Sequence, residues 1–191
     1  MRIGIFGGSF NPPHMMHKNI ALELLKMDYL DKVIYVPTGG LYNKVGLASE
    51  KNRYEMLQLM IGDNVDLGVS DYEFGKLTYT YQTLDYFKDK YPGDEIYFIC
   101  GTDNLKQITS WKNYKYILDN FKLIVIRRDN NDVEDELKRY NNGGNILILD
   151  IINNDLSSTR IRKFLKEGKS LDCLVSKNVV RYIRKNNLYE E

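Results

Sequence analysis

Apolar residues gather in six short runs, at positions 3–6, 33–36, 65–69, 96–100, 123–126 and 146–151. Between most of these runs the apolar spacing lengthens to that of a helix. Ile20, Leu24, Leu25 and Met27 make one such face, Tyr54, Leu57 and Ile61 a second, and Thr83, Leu84 and Phe87 a third. Alternation of strand and helix predicts right-handed βαβ units and a mostly parallel, doubly wound α/β sheet. Most of the runs are apolar throughout rather than alternating, as expected of strands covered on both faces. Positions 39–49 are polar, glycine-rich and without period, so a loop is expected there, and Asn141-Asn-Gly-Gly144 reads as a turn. The tail is helical. Positions 159–167 end at Gly168, a favourable residue just past a helix end, and positions 176–186 carry Val179, Val180 and Ile183 on an inner face. The expectation is a single domain over residues 1–191 with a small C-terminal helical part, since neither an internal repeat nor a linker interrupts the pattern.

Charge narrows the field. The formal net charge is +1, which leaves no global attraction for nucleic acid or an anionic membrane, so any anion site must be local. Apolar runs stay far below the ~20 residues needed to span a bilayer, and the chain begins directly with a strand rather than a leader. A cytoplasmic location is therefore expected. Cys100 and Cys173 match no metal spacing and are expected to be buried free thiols in a reducing compartment.

The chemistry starts where the first run stops. Gly7-Gly8-Ser9-Phe10-Asn11-Pro12-Pro13 leads into His14-Met15-Met16-His17, the only histidines of the chain. This is a tight loop opening a helix, with two imidazoles on one face at i, i+3. Such a loop suits phosphate, because backbone N–H groups and the helix dipole favour negative charge. It is neither a Walker loop nor a G-x-G-x-x-G fingerprint. Metal binding is the weaker reading, since no third ligand has suitable local spacing. A second stretch, Leu156-Ser157-Ser158-Thr159-Arg160-Ile161-Arg162, follows the last apolar run. Ser157 is a natural N-cap, Ser158 and Thr159 add hydroxyls to the first turn, and Arg162 can grip an anion from one turn further in. Alone this would be an ordinary capped helix with solvated arginines. Together the two stretches form two phosphate-grade helix starts in one parallel sheet, whose ligands belong outside the carboxyl ends of the strands.

Gly-Gly-Ser-Phe-Asn-Pro-Pro-His14-x-x-His17 and Ser157-Ser-Thr-x-Ile-Arg162 resemble the two signatures of the nucleotidyltransferase superfamily with the H-x-G-H motif. Within it the chain resembles the bacterial nicotinate-mononucleotide adenylyltransferases along nearly its whole length. Val36-Pro37 with Lys44, Arg53-x-x-Met56, Thr78-Tyr79-Thr80-x-x-Thr83-Leu84, Gly101-Thr102-Asp103-Asn104-Leu105 with Trp111, and the ending through Tyr182-Ile183 to Leu188-Tyr189 follow that family's order and spacing. The resemblance implies a Rossmann-like nucleotidyltransferase fold and transfer of the AMP moiety of ATP to nicotinate mononucleotide, giving deamido-NAD and pyrophosphate. It places Gly7, Gly8, Ser9, Phe10, His14, His17, Ser158, Thr159 and Arg162 around ATP. Asn11, Lys44, Tyr79, Thr80, Asp103 and Trp111 fall around the mononucleotide. His14, His17, Lys44 and Arg162 serve the reaction itself. Mg2+ is expected to arrive with ATP, and a homo-oligomer is an expectation of the family only.

Two departures stand out. Met15-Met16 replaces the family's usual glycine between the histidines, and a methionine there is expected to narrow the site and to pack against adenine. Leu41-Tyr42-Asn43-Lys44 stands where the family commonly has Pro-Pro-His-Lys. Nicotinamide mononucleotide or phosphopantetheine as acceptor, and a nucleotide-binding regulator without turnover, are the alternative readings.

Overall fold

The computed structural model describes residues 1–41, 46–127, 133–140, 144–151 and 156–189. Six parallel strands form its sheet: β1 (Arg2–Gly8), β2 (Lys32–Pro37), β3 (Leu67–Val69), β4 (Glu95–Gly101), β5 (Lys122–Ile126) and β6 (Ile146–Leu149). Their order is β3-β2-β1-β4-β5-β6. This is the doubly wound Rossmann arrangement, and the chain reverses its direction of travel across the sheet between β1 and β4.

Helices cover both faces. On one side lie α1 (Met15–Lys26), α2 (Glu50–Ile61), α7 (Ser158–Lys166) and α8 (Lys177–Lys185), packed on Val33, Tyr35, Ile99, Ile124 and Ile126. On the other lie α3 (Thr80–Lys90), α4 (Thr102–Lys106), α5 (Tyr114–Asn120) and α6 (Glu134–Tyr140), facing Ile3, Ile5, Ile34, Val36, Leu123 and Val125. Successive strand residues thus feed opposite cores, and in the central strands both sets are apolar because both faces are covered; at the edge, Leu147 of β6 is exposed. Burying side chains of this size stabilises by about 1.5–3 kcal/mol each before entropy is charged against it.

Several expectations shift in detail. The third strand starts only at Leu67, because a turn in which the Leu67 N–H donates to Asn64 O throws Val65 out to 84% exposure. The sixth strand ends at Leu149, and Ile151 is buried beyond it. Met27 closes α1 as its C-cap and is exposed rather than on the inner face. Cys100 is buried as expected, but Cys173 is exposed, on a left-handed residue with φ 63°. The turn at 141–144 lies largely outside the described residues. The tail behaves as read: Ser157 Oγ caps α7 by accepting from the Arg160 N–H at 3.2 Å, and Gly168 follows the helix end at φ 65°. Among the described residues no helix is long and apolar enough to cross a membrane.

Candidate active site

A cavity of about 480 Å³ opens at the carboxyl ends of β1, β2 and β4, at the point where the winding reverses. Gly7, Gly8, Ser9, Phe10, Asn11 and His17 line one part of it, Ser158, Thr159 and Arg162 another, and Thr80, Asp103 and Trp111 a third. The two helix starts foreseen in the sequence do meet. Ser158 Oγ donates to Pro12 O at 2.8 Å, and Arg162 Nη1 donates to Asn11 O at 2.7 Å. Arg162 Nη2 reaches Thr159 Oγ1 at 3.2 Å, which fixes the guanidinium across the first turn of α7.

The loop after β1 is held in an uncommon conformation. Phe10 has φ 45°, a left-handed value that costs an L residue roughly 1–2 kcal/mol. Burial repays it. The Phe10 ring lies 4.9 Å from that of His17 and 5.6 Å from that of Tyr35, both edge-on, and shields the backbone of Gly8. A Cβ at Gly8 would sit 3.1 Å from the Phe10 ring, so the bare glycine is what lets the ring fold over the loop.

His17 is set from both ends. Its carbonyl accepts the Tyr35 hydroxyl at 2.9 Å, and its Nδ1 accepts the His14 backbone N–H at 3.2 Å. A ring whose Nδ1 accepts carries its proton on Nε2, so that nitrogen is a donor on a residue that lines the cavity. His14 stacks on this ring at 3.7 Å between centroids and is itself buried, away from the cavity wall. Met16 is the correction here. It does not line the cavity but packs into the core with Ile20 and Leu24, since i, i+4, i+8 fall on one helix face. The site is therefore not narrowed by it.

Trp111, also in the lining, is half-buried and edge-on to Phe98 at 5.7 Å. Asp103 is exposed at the first turn of α4, just past the end of β4. Tyr79 caps α3; its N–H donates to Gln82 Oε1 at 3.0 Å and its ring lies under Lys112 Nζ at 4.5 Å, so Thr80 rather than Tyr79 faces the cavity. The side chain of Asn11 is committed within the protein: Nδ2 donates to Gly46 O at 2.8 Å, and Oδ1 accepts from Ala48 N at 3.0 Å. Lys44 lies outside the described residues.

Glu73 and Arg53 are among the wall or near-wall residues that escaped the sequence reading of the site. Glu73 is a cavity carboxylate that accepts the Thr83 hydroxyl at 2.6 Å and the Gly39 N–H at 3.3 Å. Burial raises its pKa, and these two bonds hold it partly back. Gly39 itself is forced, because a Cβ there would collide with the carbonyl oxygens of Glu73 and Lys76. Arg53, fully buried on α2, donates to Ala48 O at 2.9 Å, Ser9 O at 3.1 Å and Thr38 O at 2.6 Å, and burial lowers its pKa. Its only sequence signal was the Arg53-x-x-Met56 spacing.

Residues 5–164 match the family model described as Cytidylyltransferase-like. A protein of Clostridium acetobutylicum described as a probable nicotinate-nucleotide adenylyltransferase is 38% identical over 196 residues, covering 97% of both chains. One of Caldicellulosiruptor saccharolyticus with the same description is 36% identical over 198 residues, covering 100% of both. Among solved structures, the Plasmodium falciparum nicotinic acid mononucleotide adenylyltransferase complexed with NaAD superposes with a TM-score of 0.83 at 24% identity, covering 99% of this chain and 97% of that one. That similarity speaks for the fold, whereas the full-length sequence matches speak for the lineage. With its sheet order, its two converging helix starts and these relatives, the chain belongs to the nicotinate-nucleotide adenylyltransferase family.

Proposed function

We propose that the chain transfers the AMP moiety of ATP to nicotinate mononucleotide as a single nucleotidyltransferase unit, with the residues of this one cavity in the following roles. A phosphate oxygen of the mononucleotide attacks the α-phosphorus of ATP. The new P–O bond forms as the bond to the β-phosphate breaks, and pyrophosphate leaves with the electron pair. The attacking phosphate is already ionised, so neither a covalent intermediate nor a general base is required. The protein positions the reactants and neutralises charge that builds on the α-phosphate and the leaving group.

In this reading the backbone of Gly7, Gly8, Ser9 and Phe10 cradles the nucleotide, and Ser158, Thr159 and Arg162 hold the departing pyrophosphate. The Nε2–H of His17 donates to the α-phosphate, with His14 stacked behind it at the same pole. Lys44 adds positive charge at the reaction centre. Thr80, at the free N–H start of α3, meets the nicotinate carboxylate, with Tyr79 as its cap; Trp111 stacks on the pyridine ring, Asp103 binds a ribose hydroxyl, and Asn11 shapes the floor between both substrates. Among the described residues no group of three His, Cys, Asp or Glu could cage a metal, and Glu73 is already engaged by two donors. Mg2+ would enter as part of MgATP and would supply charge neutralisation of the triphosphate, beside Ser158, Thr159 and Arg162.

The observation that carries the reading is the pair of bonds from Ser158 and Arg162 to the loop ahead of His17, which brings both anion-binding helix starts to one cavity. A panel of nicotinate mononucleotide, nicotinamide mononucleotide and phosphopantetheine, each with MgATP and followed by pyrophosphate release, tests it. Turnover with the nicotinate form as preferred acceptor is expected. Pyrophosphate release with none of the three would leave the regulator reading in place. For Trp111→Ala we expect a raised KM for the mononucleotide, by about fivefold given the ~1 kcal/mol of an aromatic pair beyond its area. A rise confined to the KM for ATP would reject the stacking assignment.

A further inference from the structure

The turn after α8 reaches a residue that lines the same site. Tyr189 sits in the turn after α8 at φ 69° and donates its hydroxyl to Asn11 Oδ1 at 2.7 Å, across 178 positions of sequence. That oxygen also accepts from Ala48 N, while Nδ2 of the same amide donates to Gly46 O. Leu47, between these two anchors, lines the cavity, and the carbonyl of Asn11 receives Arg162. One residue therefore joins four places: its side-chain amide ties the phosphate loop to the segment 46–48 and to the turn after α8, and its backbone carbonyl receives the first helix of the tail.

An amide can satisfy this set in one orientation only. Oδ1 must face two donors and Nδ2 must face a carbonyl, so reversing the group would break all three bonds at once. The Tyr189 hydroxyl is a second donor on Oδ1 and locks that choice. Burial raises the pKa of the phenol, so it stays a donor across the pH range of an assay.

We propose that Tyr189 is a positioning residue for the transfer reaction: its hydroxyl orients the Asn11 amide, and through it sets Leu47 and the Asn11 carbonyl that anchors Arg162. The proposal rests on the adenylyl-transfer reading of the cavity. It assigns a task to the C-terminal turn, which lies outside the two motifs by which the family is recognised and bonds to Asn11 in the first of them.

The test compares two hydroxyl deletions in the same tail. Tyr189→Phe removes the bond to Asn11; Tyr182→Phe removes the 3.0 Å bond from α8 to Asn52 Oδ1, away from the cavity. Both lose one hydrogen bond and should shift Tm equally little. Tyr189→Phe is expected to raise the KM values by about three- to tenfold with kcat little changed, as the loss of one hydrogen bond in positioning would, whereas Tyr182→Phe leaves them at wild type. Asn11→Ala combined with Tyr189→Phe should cost no more than Asn11→Ala alone, because the two act as one unit. Amide exchange at Ala48, read in the ligand-free protein, should quicken in Tyr189→Phe only. This last measurement needs no turnover, so it separates failure of the hub from failure of the adenylyl-transfer reading. Equal KM values for both deletions, or unchanged exchange at Ala48, would overturn the proposal.

Discussion

Replacing His17 by alanine is expected to lower kcat by about 10²–10³-fold while leaving the KM for ATP within a few-fold of wild type. The split follows from geometry. His17 Nδ1 is occupied by the His14 N–H, so its Nε2–H is a fixed donor with no rearrangement to undergo as charge grows on the α-phosphate. A donor held in place by Tyr35 below and Phe10 at its edge contributes chiefly in the transition state, when the phosphoryl oxygens carry most charge. The ground-state triphosphate remains gripped by Ser158, Thr159 and Arg162, hence the modest change in KM. His17→Gln serves as the partial rescue, because its amide can present an N–H near the same place without the ring. Steady-state kinetics on folded protein, checked by circular dichroism, decides the matter; a kcat for His17→Ala within threefold of wild type would take the imidazole out of the reaction.

This outcome depends on features that were visible in the sequence to different degrees. The central strands β1, β2, β4 and β5 were legible because their middle residues are almost all buried, which makes them a near-continuous apolar run. The two anion-binding helix starts were legible because a loop that must approach phosphate needs Gly7-Gly8 and a capped first turn, and few sequences carry both. What the sequence obscured is equally physical. Helix α6 buries none of its residues and so has no apolar period to read; its acidic start and basic end are its only marks. Val65 belongs to an apolar run by composition, yet a local turn decides its exposure. Met16 was placed by spacing between two functional histidines, and helical phase turns it to the core. Glu73, Arg53 and Asn11 act on backbone groups of distant segments. A side chain that bonds to a carbonyl leaves no pattern in the residue it touches, because every residue has one.

Arg53 gives the clearest consequence of that last class. Arg53→Met keeps the length and apolar stem of the side chain and removes the guanidinium, and the expected result is a loss of about 3–5 kcal/mol in stability, the range seen when a buried charged hydrogen-bonding group is taken from its partners. For a chain of this size that corresponds to a Tm lower by about 6–20 °C. Three carbonyls lose their donor together, those of Ser9 in the phosphate loop, Thr38 after β2 and Ala48 ahead of α2. Few alternatives exist inside the core, since Met56, Leu57 and Met60 of the same helix are all buried apolar groups. The cost of keeping an arginine there is already visible in the downward pull of burial on its pKa, with Glu50 and Glu73 as the acidic groups that oppose it. Arg53→Lys should fall between wild type and Met, because one ammonium cannot reach three separate carbonyls in the plane of a guanidinium fork. Activity should drop with stability in both, as Ser9 and Thr38 line the cavity. Thermal unfolding of the two variants beside wild type measures the difference; a Tm for Arg53→Met within 2 °C of wild type would show that the three segments are held by other contacts.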